Sequence, residues 1–282
     1  MSLRYIEELN HVQWDHSARR LGAGVTLADI AGDARFRNAL TALRQAASLV
    51  ATPPIRNMAT LGGNLCLDTR CIYYNQSEWW RSANHHCLKT SGEICYVAPK
   101  SRGVCFATFS GDLAPALLIL AAEVELLGPD GGRRMPLADL YVGHARHDGS
   151  DGDGKHYLAL RPGECVTSVR ARNTPGLRSG YDKIRIRRSI EYPVAGVAVA
   201  LRRDQSDLAA LRVAITGTNP RPVLLDATDR LCGGPLDDRV FTGLDDLIRD
   251  QVMAMKTTFT PGHYRRRVAG VLARRLVARL FA

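Results

Sequence analysis

The stretch from Thr52 to Leu118 constrains the fold and the chemistry of this chain more than any other part of the sequence. It opens with TPPIRNMATLGGNL and closes with SGDLAPALL, and an insert runs between these strings from Cys71 to Cys105. The insert holds four of the seven cysteines. The flanking strings are typical of a site for a phosphorylated ligand, and the insert is typical of a metal centre.

The first flank contains a glycine pair between two short polar residues. Gly62 and Gly63 remove side chains where backbone N–H groups could approach an anion, as a pyrophosphate site requires. Thr60 and Asn64 add polar groups beside that segment. Asp112 precedes the apolar run LAPALLILAA, where it can cap a helix or accept a hydrogen bond from a sugar hydroxyl. Taken alone, however, a glycine pair is more typical of a tight turn.

The cysteines of the insert follow no common metal-binding spacing. They are separated by 16, 8 and 10 positions, and the absence of a C-x-x-C pair argues against a zinc ribbon or finger. Four thiolates would suit a [4Fe–4S] cluster, but the spacing alone leaves a cluster, zinc and unliganded thiols open. The four candidates are Cys71, Cys87, Cys95 and Cys105.

Other residues of the insert and the remaining cysteines are given more ordinary roles. His85 and His86 could ligate a metal but are predicted to be loop residues. The aromatic residues are predicted to shield the metal centre from water. These are Tyr73, Tyr74, Trp79 and Trp80. The cysteines outside the insert are interpreted as ordinary packed thiols. They are Cys66, Cys165 and Cys232.

Composition limits the classes of protein that the chain can represent. A length of 282 residues predicts about two domains, and no run approaches the roughly 20 apolar residues of a membrane span. The net charge of +10 invites a nucleic-acid interpretation, but no motif supports one. The C-terminal basic residues share a helical pattern with an apolar stripe, which predicts a solvated basic face. We therefore predict a cytoplasmic protein that binds neither nucleic acid nor membrane.

The pattern of elements predicts an α+β fold. The second half carries strand-like runs (HYLALR, KIRIRR, VAGVAVAL, LRVAITG) followed by helical segments at Asp245–Met255 and Pro261–Leu280. Grouped strands followed by grouped helices are typical of α+β domains. Local patterns further predict a helix cap at Thr26, a hairpin turn at PDGG and a polar loop at Arg146–Lys155. We place one domain at residues 1–134, with the cysteine insert at 71–105, and a second domain at residues 135–282.

The whole order of segments resembles the FAD-binding subunit of the molybdenum hydroxylases. The TLGGN string and the SGDLAPALL string carry the resemblance. Three further strings support it: LGAGVTLADIAGD, YDKIRIRRSIEYPVAGVAVAL and TPGHYRRRVAGVLARRL. Within that family, RCIYYNQSEWWR and CLKTSGEICYVAPKSRGVCFATFSGDLAP are similar to the cluster loop of the medium subunit of 4-hydroxybenzoyl-CoA reductases.

This resemblance implies an oxidoreductase subunit that transfers electrons and has no catalytic residue of its own. It implies a second FAD-binding subdomain followed by a sheet with a helical bundle. It assigns FAD to Thr60, Gly62, Gly63, Asn64, Asp112 and Lys183, and a [4Fe–4S] cluster to Cys71, Cys87, Cys95 and Cys105. It implies a molybdopterin-binding subunit, a [2Fe–2S] subunit and a ferredoxin-like electron donor as partners. For Lys183, a solvated strand end and an approach to the isoalloxazine are both open.

One departure from the family pattern concerns the N-terminal part. The family's FAD subunits begin with a subdomain carrying an AGGTDLL-like loop, and no such loop precedes Leu21. We expect that the start is misassigned or trimmed, or that another polypeptide supplies this half, in preference to loss of the flavin. The flavin site is incomplete in the sequence as given, so we expect this chain alone to bind FAD weakly or not at all. The alternative function is a flavin-free, metal-stapled structural subunit of the same kind of complex.

Overall fold

The computed structural model describes residues 3–15, 18–142, 152–172, 174–187, 190–253 and 260–282. Two antiparallel sheets organise the chain. The first has the strand order β1-β2-β5-β3-β4, and the second has the order β10-β8-β7-β6 with β9 paired to β8. The strands are β1 (Val12–Trp14), β2 (Ala18–Gly22), β3 (Glu123–Gly128), β4 (Gly131–Pro136), β5 (Cys165–Arg172), β6 (Arg178–Ile184), β7 (Ala195–Asp204), β8 (Asp207–Thr216), β9 (Val223–Leu224) and β10 (Gly234–Pro235).

Nine α-helices surround these sheets in the described part of the chain. They are α1 (Leu27–Gly32), α2 (Arg35–Ala39), α3 (Thr41–Leu49), α4 (Pro53–Met58), α5 (Leu61–Leu65), α6 (Glu78–Ala83), α7 (Leu113–Leu118), α8 (Asp238–Gln251) and α9 (Gly262–Phe281). Short 3₁₀ turns lie at Glu7–Asn10, Leu137–Leu140 and Thr228–Leu231. None of the helices is long and apolar enough to cross a membrane.

The first core lies among the first sheet, helices α1, α2, α3, α5 and α7, and one face of the second sheet. Its largest fully buried side chains include Phe36 and Phe109. Thr26 caps α1 as predicted, because its hydroxyl accepts from the backbone N–H of Asp29. The PDGG string forms the predicted hairpin turn, with Gly128 paired to Gly131 between β3 and β4.

The cysteine insert leaves this core, and one backbone bridge joins its two ends. Arg70 and Thr108 exchange both backbone hydrogen bonds, at 3.0 and 2.9 Å, and so close the base of the insert. Between them, α6 is the insert's one helix among the described residues. The insert is therefore a long excursion held by local turns and side chains.

The second sheet is covered by α8 and α9. The apolar stripe predicted for the last helix is confirmed, since Leu272 and Leu276 are buried against the sheet. Arg265 corrects the prediction of an outward basic face, because it lies on the buried side of α9. Burial lowers its pKa to about 10.

The α+β class is confirmed, while two details of the prediction are corrected. HYLALR is no strand: among its residues only Leu158 forms a bridge, to Tyr141. The strand β5 had not been predicted, and it joins the first sheet between β2 and β3. A boundary after residue 134 therefore falls inside β4, and the sheet topology divides the chain later, between β5 and β6. The predicted loop Arg146–Lys155 lies partly outside the described residues.

Candidate functional site

The glycine pair lies in the short helix α5, on the wall of a cavity of about 690 Å³. Thr60 is the N-cap of this helix, and its hydroxyl accepts from the N–H of Gly63 at 3.1 Å. The cavity lies at the junction of β5 with the segment that follows β2. Its lining includes Ala23, Gly24, Thr26, Asn57, Thr60, Gly62, Gly63, Cys66, Leu160, Glu164 and Cys165.

The N–H groups of α5 correct the expectation of a turn with free donors. Leu61 donates to the carbonyl of Val25 at 2.9 Å, and Gly62 donates to that of Ala23 at 2.8 Å. A Cβ atom on Gly62 would lie 2.8 Å from the Cβ of Ala23. Glycine is required here because the helix packs directly on that neighbouring backbone. The pair opens the cavity by lacking side chains and does not offer unpaired N–H groups.

Asn64 faces away from the cavity and caps the next helix. Its side-chain oxygen accepts from the backbone N–H of Leu113 at 3.0 Å, at the start of α7. Asp112 occupies the N-cap position of α7, but its carboxylate makes no capping bond. The helix cap predicted for Asp112 is therefore supplied by Asn64, and the Asp112 side chain is left for other partners.

Asp112 forms a buried ion pair with Lys183. Its Oδ1 lies 2.9 Å from Nζ of Lys183 and accepts from the hydroxyl of Tyr181 at 2.6 Å. The side chains of Asp112 and Lys183 are 4% and 1% exposed. Burial raises the pKa of Asp112 and lowers that of Lys183, and each partner opposes the other's shift. Lys183 is therefore not a solvated strand end.

The six residues assigned to the flavin thus divide into two groups joined through α5. Thr60, Gly62 and Gly63 line the cavity. Asn64, Asp112 and Lys183 meet on the other side of that helix, at the start of α7. Tyr181 was missed by sequence reasoning, although it lies two residues before Lys183 and on the same strand face.

Three of the four cysteines of the insert turn their sulfurs toward backbone N–H groups, and the sulfur of Cys87 lies 3.8 Å from the hydroxyl oxygen of Thr90. The N–H groups of Tyr74 and Phe106 lie 3.4 Å from the sulfurs of Cys71 and Cys95, respectively. The N–H of Ala107 lies 3.5 Å from the sulfur of Cys105. Cys87, Cys95 and Cys105 are buried, and Cys71 is half-buried.

The thiols of the insert influence one another's pKa. A hydrogen bond shared with Cys105 lowers the pKa of Cys95 to about 5 and raises that of Cys105. Burial raises the pKa of Cys71, and the neighbouring thiols of Cys87 and Cys95 add to that rise. Among the residues that the structure describes, however, no three potential ligands are placed to hold a single metal ion.

The histidines and aromatic residues of the insert are only partly as predicted. His86 lies 3.8 Å from the carboxylate of Glu78, so it remains a loop residue beside a charge. Trp79 is 78% exposed, which corrects the prediction that it shields the metal centre. The ring of Tyr73 makes tilted contacts with the rings of Trp80 and Tyr96, with ring centres 6.3 and 5.5 Å apart.

Cys66 and Cys165 share the wall of the glycine-lined cavity. Burial raises the pKa of Cys66 to about 11, and the Cys165 thiol contributes to that rise. A thiol with so high a pKa is almost entirely protonated at neutral pH and is a poor nucleophile. The interpretation of these two cysteines as packed thiols agrees with this environment.

Comparison with known proteins identifies the family that has this arrangement of two sheets and a glycine-containing helix beside a cavity. Residues 1–171 match the family described as the FAD binding domain in molybdopterin dehydrogenase, and residues 180–280 match the CO dehydrogenase flavoprotein C-terminal domain. The first match spans more than half of the chain. The chain therefore belongs to the FAD-binding subunits of the molybdenum hydroxylase family.

Two curated relatives support this placement. The aldehyde oxidoreductase FAD-binding subunit PaoB of Escherichia coli is 32% identical over 76% of this chain. The alignment spans 66% of that relative, just under two thirds of its length. The carbon monoxide dehydrogenase medium chain of Afipia carboxidovorans is 25% identical over 99% of this chain and 80% of the relative.

Solved structures share the fold. The reconstituted CO dehydrogenase from Oligotropha carboxidovorans superposes with a TM-score of 0.74 at 23% identity, over 98% of this chain and 79% of that chain. Quinoline 2-oxidoreductase from Pseudomonas putida 86 superposes with a TM-score of 0.71 at 17% identity, over 99% of this chain and 80% of that chain. At these identities the likeness establishes the architecture alone.

Proposed function

We propose that this chain is the electron-transfer subunit of a molybdenum hydroxylase-family enzyme of the 4-hydroxybenzoyl-CoA reductase type. It would bind FAD and a [4Fe–4S] cluster and pass electrons between a low-potential donor and a [2Fe–2S] subunit. Substrate chemistry would occur on a molybdopterin-binding partner. The observation that carries the proposal is the gathering of four thiols inside one insert that is anchored beside the flavin domain.

The thiols suit a cluster better than a single metal ion. Each thiolate of a [4Fe–4S] centre binds a different iron, so four ligands need not converge on one point. Cys71, Cys87, Cys95 and Cys105 would be those ligands. Backbone N–H groups already point at three of the sulfurs, and such hydrogen bonds tune the reduction potential of a cluster.

The cavity supports the flavin assignment. Thr60, Gly62 and Gly63 line it and would let a dinucleotide approach the backbone. Behind α5, Asp112 and Lys183 are buried and bind each other, so they would support the wall of the cavity from behind. FAD supplies redox chemistry when bound, and the residues that line the cavity would bind and orient it.

The partners follow from the proposal. We infer a molybdopterin-binding subunit, a [2Fe–2S] subunit and a ferredoxin-like donor, all in the cytoplasm. The exposed arginines of α9, among them Arg267 and Arg275, would favour docking of an acidic surface.

The two cofactors are tested separately. We expect about four irons and about four labile sulfides per purified chain, the content of one [4Fe–4S] cluster, with a broad absorbance near 400 nm. We expect flavin to be released on heating from the assembled complex. Zinc in place of iron would refute the electron-transfer role of the insert. Substrate reduction by the assembled complex would test the reductase type.

A second candidate is the flavin-free, metal-stapled structural subunit. The internally bonded N–H groups of α5 favour it, because they leave fewer donors for a pyrophosphate. Iron and sulfide without any flavin in the assembled complex would select this alternative. Flavin together with iron would exclude it.

A further inference from the structure

Lys89 lies inside the cysteine insert, yet its ammonium binds groups outside it. Nζ donates to the carboxylate of Asp68 at 2.7 Å and to the carbonyl of Gly154 at 2.6 Å, and it also donates to the hydroxyl of Thr69. The Lys89 side chain is 6% exposed. A buried ammonium with three oxygen acceptors is fully satisfied, so this contact fixes the middle of the insert to the body of the protein.

Two tyrosine rings enclose the same ammonium. Nζ lies 5.0 Å from the ring centre of Tyr74, within the insert, and 5.2 Å from that of Tyr157, outside it. The hydroxyl of Tyr157 donates to the carbonyl of Cys66 at 3.2 Å. Cys66 directly follows α5, so Lys89 is connected through one tyrosine to the end of the glycine helix.

The ammonium is connected to the thiols through Gly154. The carbonyl of Gly154 binds Lys89, and its N–H donates to the carbonyl of Cys105 at 2.7 Å. Asp153 also binds this point, because its carboxylate accepts from the N–H of Cys105 at 3.0 Å. Lys89 therefore connects the cysteine insert, of which it is a part, to the segment that follows α5.

We propose that Lys89 is a positioning residue that fixes the cysteine insert against the segment following the glycine helix, and that its positive charge raises the reduction potential of the four-thiolate centre. This inference rests on the proposed function, because it concerns the cluster. Reduction adds one negative charge to the centre, and the ammonium of Lys89, which Gly154 links to Cys105, stabilises that reduced form. Asp68 offsets part of this effect, but its carboxylate is 34% exposed and is therefore screened by solvent more than the 6% exposed ammonium.

The test compares three variants of the full chain. Lys89→Gln removes the charge, and Lys89→Arg keeps it. Lys100→Gln is the matched control, since Lys100 is an exposed lysine of the same insert. The cluster of each purified chain is titrated with dithionite and followed by electron paramagnetic resonance.

At the applied potential that half-reduces the unaltered cluster, Lys89→Gln is expected to show an about tenfold lower ratio of reduced to oxidised cluster. That ratio corresponds to about 59 mV for one electron. Lys89→Arg should shift the ratio less than Lys89→Gln, and Lys100→Gln should leave it unchanged. A Lys89→Gln cluster with an unaltered potential would overturn the electrostatic role.

Limited chymotrypsin digestion of the metal-free chain tests the positioning role independently of iron. The insert of Lys89→Gln should be cleaved several-fold faster than that of Lys100→Gln, while the rest of the chain resists equally in both. Equal rates would overturn the positioning role. If the unaltered chain holds no iron or sulfide, the proposed function itself fails, and the digestion still decides whether Lys89 fixes the insert.

Discussion

Two buried lysines, Lys183 and Lys89, bind carboxylates in contrasting surroundings. Both side chains of the Lys183–Asp112 pair are buried, at 1% and 4% exposed. The Lys89 side chain is also buried, at 6% exposed, but the side chain of its partner Asp68 is 34% exposed. Losing Lys183 would strand a carboxylate in the core, whereas losing Lys89 would leave Asp68 within reach of water. The exposure of the carboxylate therefore decides what each lysine contributes to stability.

The largest expected effect is that of Lys183→Met. Removing the ammonium leaves Asp112 buried with only the Tyr181 hydroxyl as a partner, so we expect the free energy of unfolding to fall by about 3–5 kcal/mol. Urea denaturation followed by circular dichroism measures this loss. The exposed Lys100→Met is the control and should stay within about 0.5 kcal/mol. A loss below about 1 kcal/mol would show that Asp112 is neutral or solvated in the folded protein.

Removing both charges of the buried pair should recover part of that loss. In the double variant Asp112→Asn/Lys183→Met no carboxylate remains uncompensated, so it should be more stable than Lys183→Met alone. A double-mutant cycle should give a coupling energy of about 1–3 kcal/mol. Strictly additive losses would mean that the two side chains contribute independently, contrary to the 2.9 Å contact.

Lys89→Met should reduce global stability less than Lys183→Met does. It removes the donor from Thr69 and Gly154, but Asp68 can be hydrated, so we expect a loss of about 1–3 kcal/mol. The same urea experiment measures it, again against Lys100→Met. A loss as large as that of Lys183→Met would contradict the claim that the exposure of the carboxylate decides how much each lysine stabilises the fold.

The smallest effect is expected at a third ion pair, Arg133–Glu164. It is measured as the dependence of stability on pH. Two hydrogen bonds from Arg133 lower the pKa of Glu164 from 4.5 to about 2, and the N–H of Arg161 adds to the shift. A carboxyl whose pKa is lower in the folded state stabilises the fold above its unfolded pKa of 4.5. That contribution is lost as the pH falls toward 2.

Glu164→Gln should therefore show a shallower fall of the urea midpoint between about pH 5 and pH 3 than the unaltered chain. Glu8→Gln, at an exposed carboxylate, is the control and should keep the original slope. Identical slopes for Glu164→Gln and the unaltered chain would mean that solvent screens the pair completely.

Local patterns in the sequence predicted several elements correctly. The cap at Thr26, the PDGG hairpin and the apolar stripe of α9 each depend on residues within a few positions of one another. Elements whose partners lie far away in the chain were not predicted from local patterns. The strand β5 was not predicted, and its place in the sheet depends on pairing with β2 and β3, which come from distant parts of the chain.

The candidate site divides in the same way. The grouping of cysteines within residues 71–105 was visible in the sequence, as was the glycine pair. The sequence did not show that Asn64 would cap α7, nor that Lys183 would be buried with Asp112. Lys89 was missed altogether, since its acceptor Gly154 lies 65 positions away in the chain.

The sequence by itself determined the α+β class, the confinement of four cysteines to one insert and the helical stripe at the C-terminus. Each of these is a matter of residue type and short-range periodicity. Only the tertiary structure decided which charges are buried and which N–H groups are used. These depend on contacts such as Gly62 to Ala23 and Asp112 to Lys183, in which segments distant in the chain exclude water and bind each other.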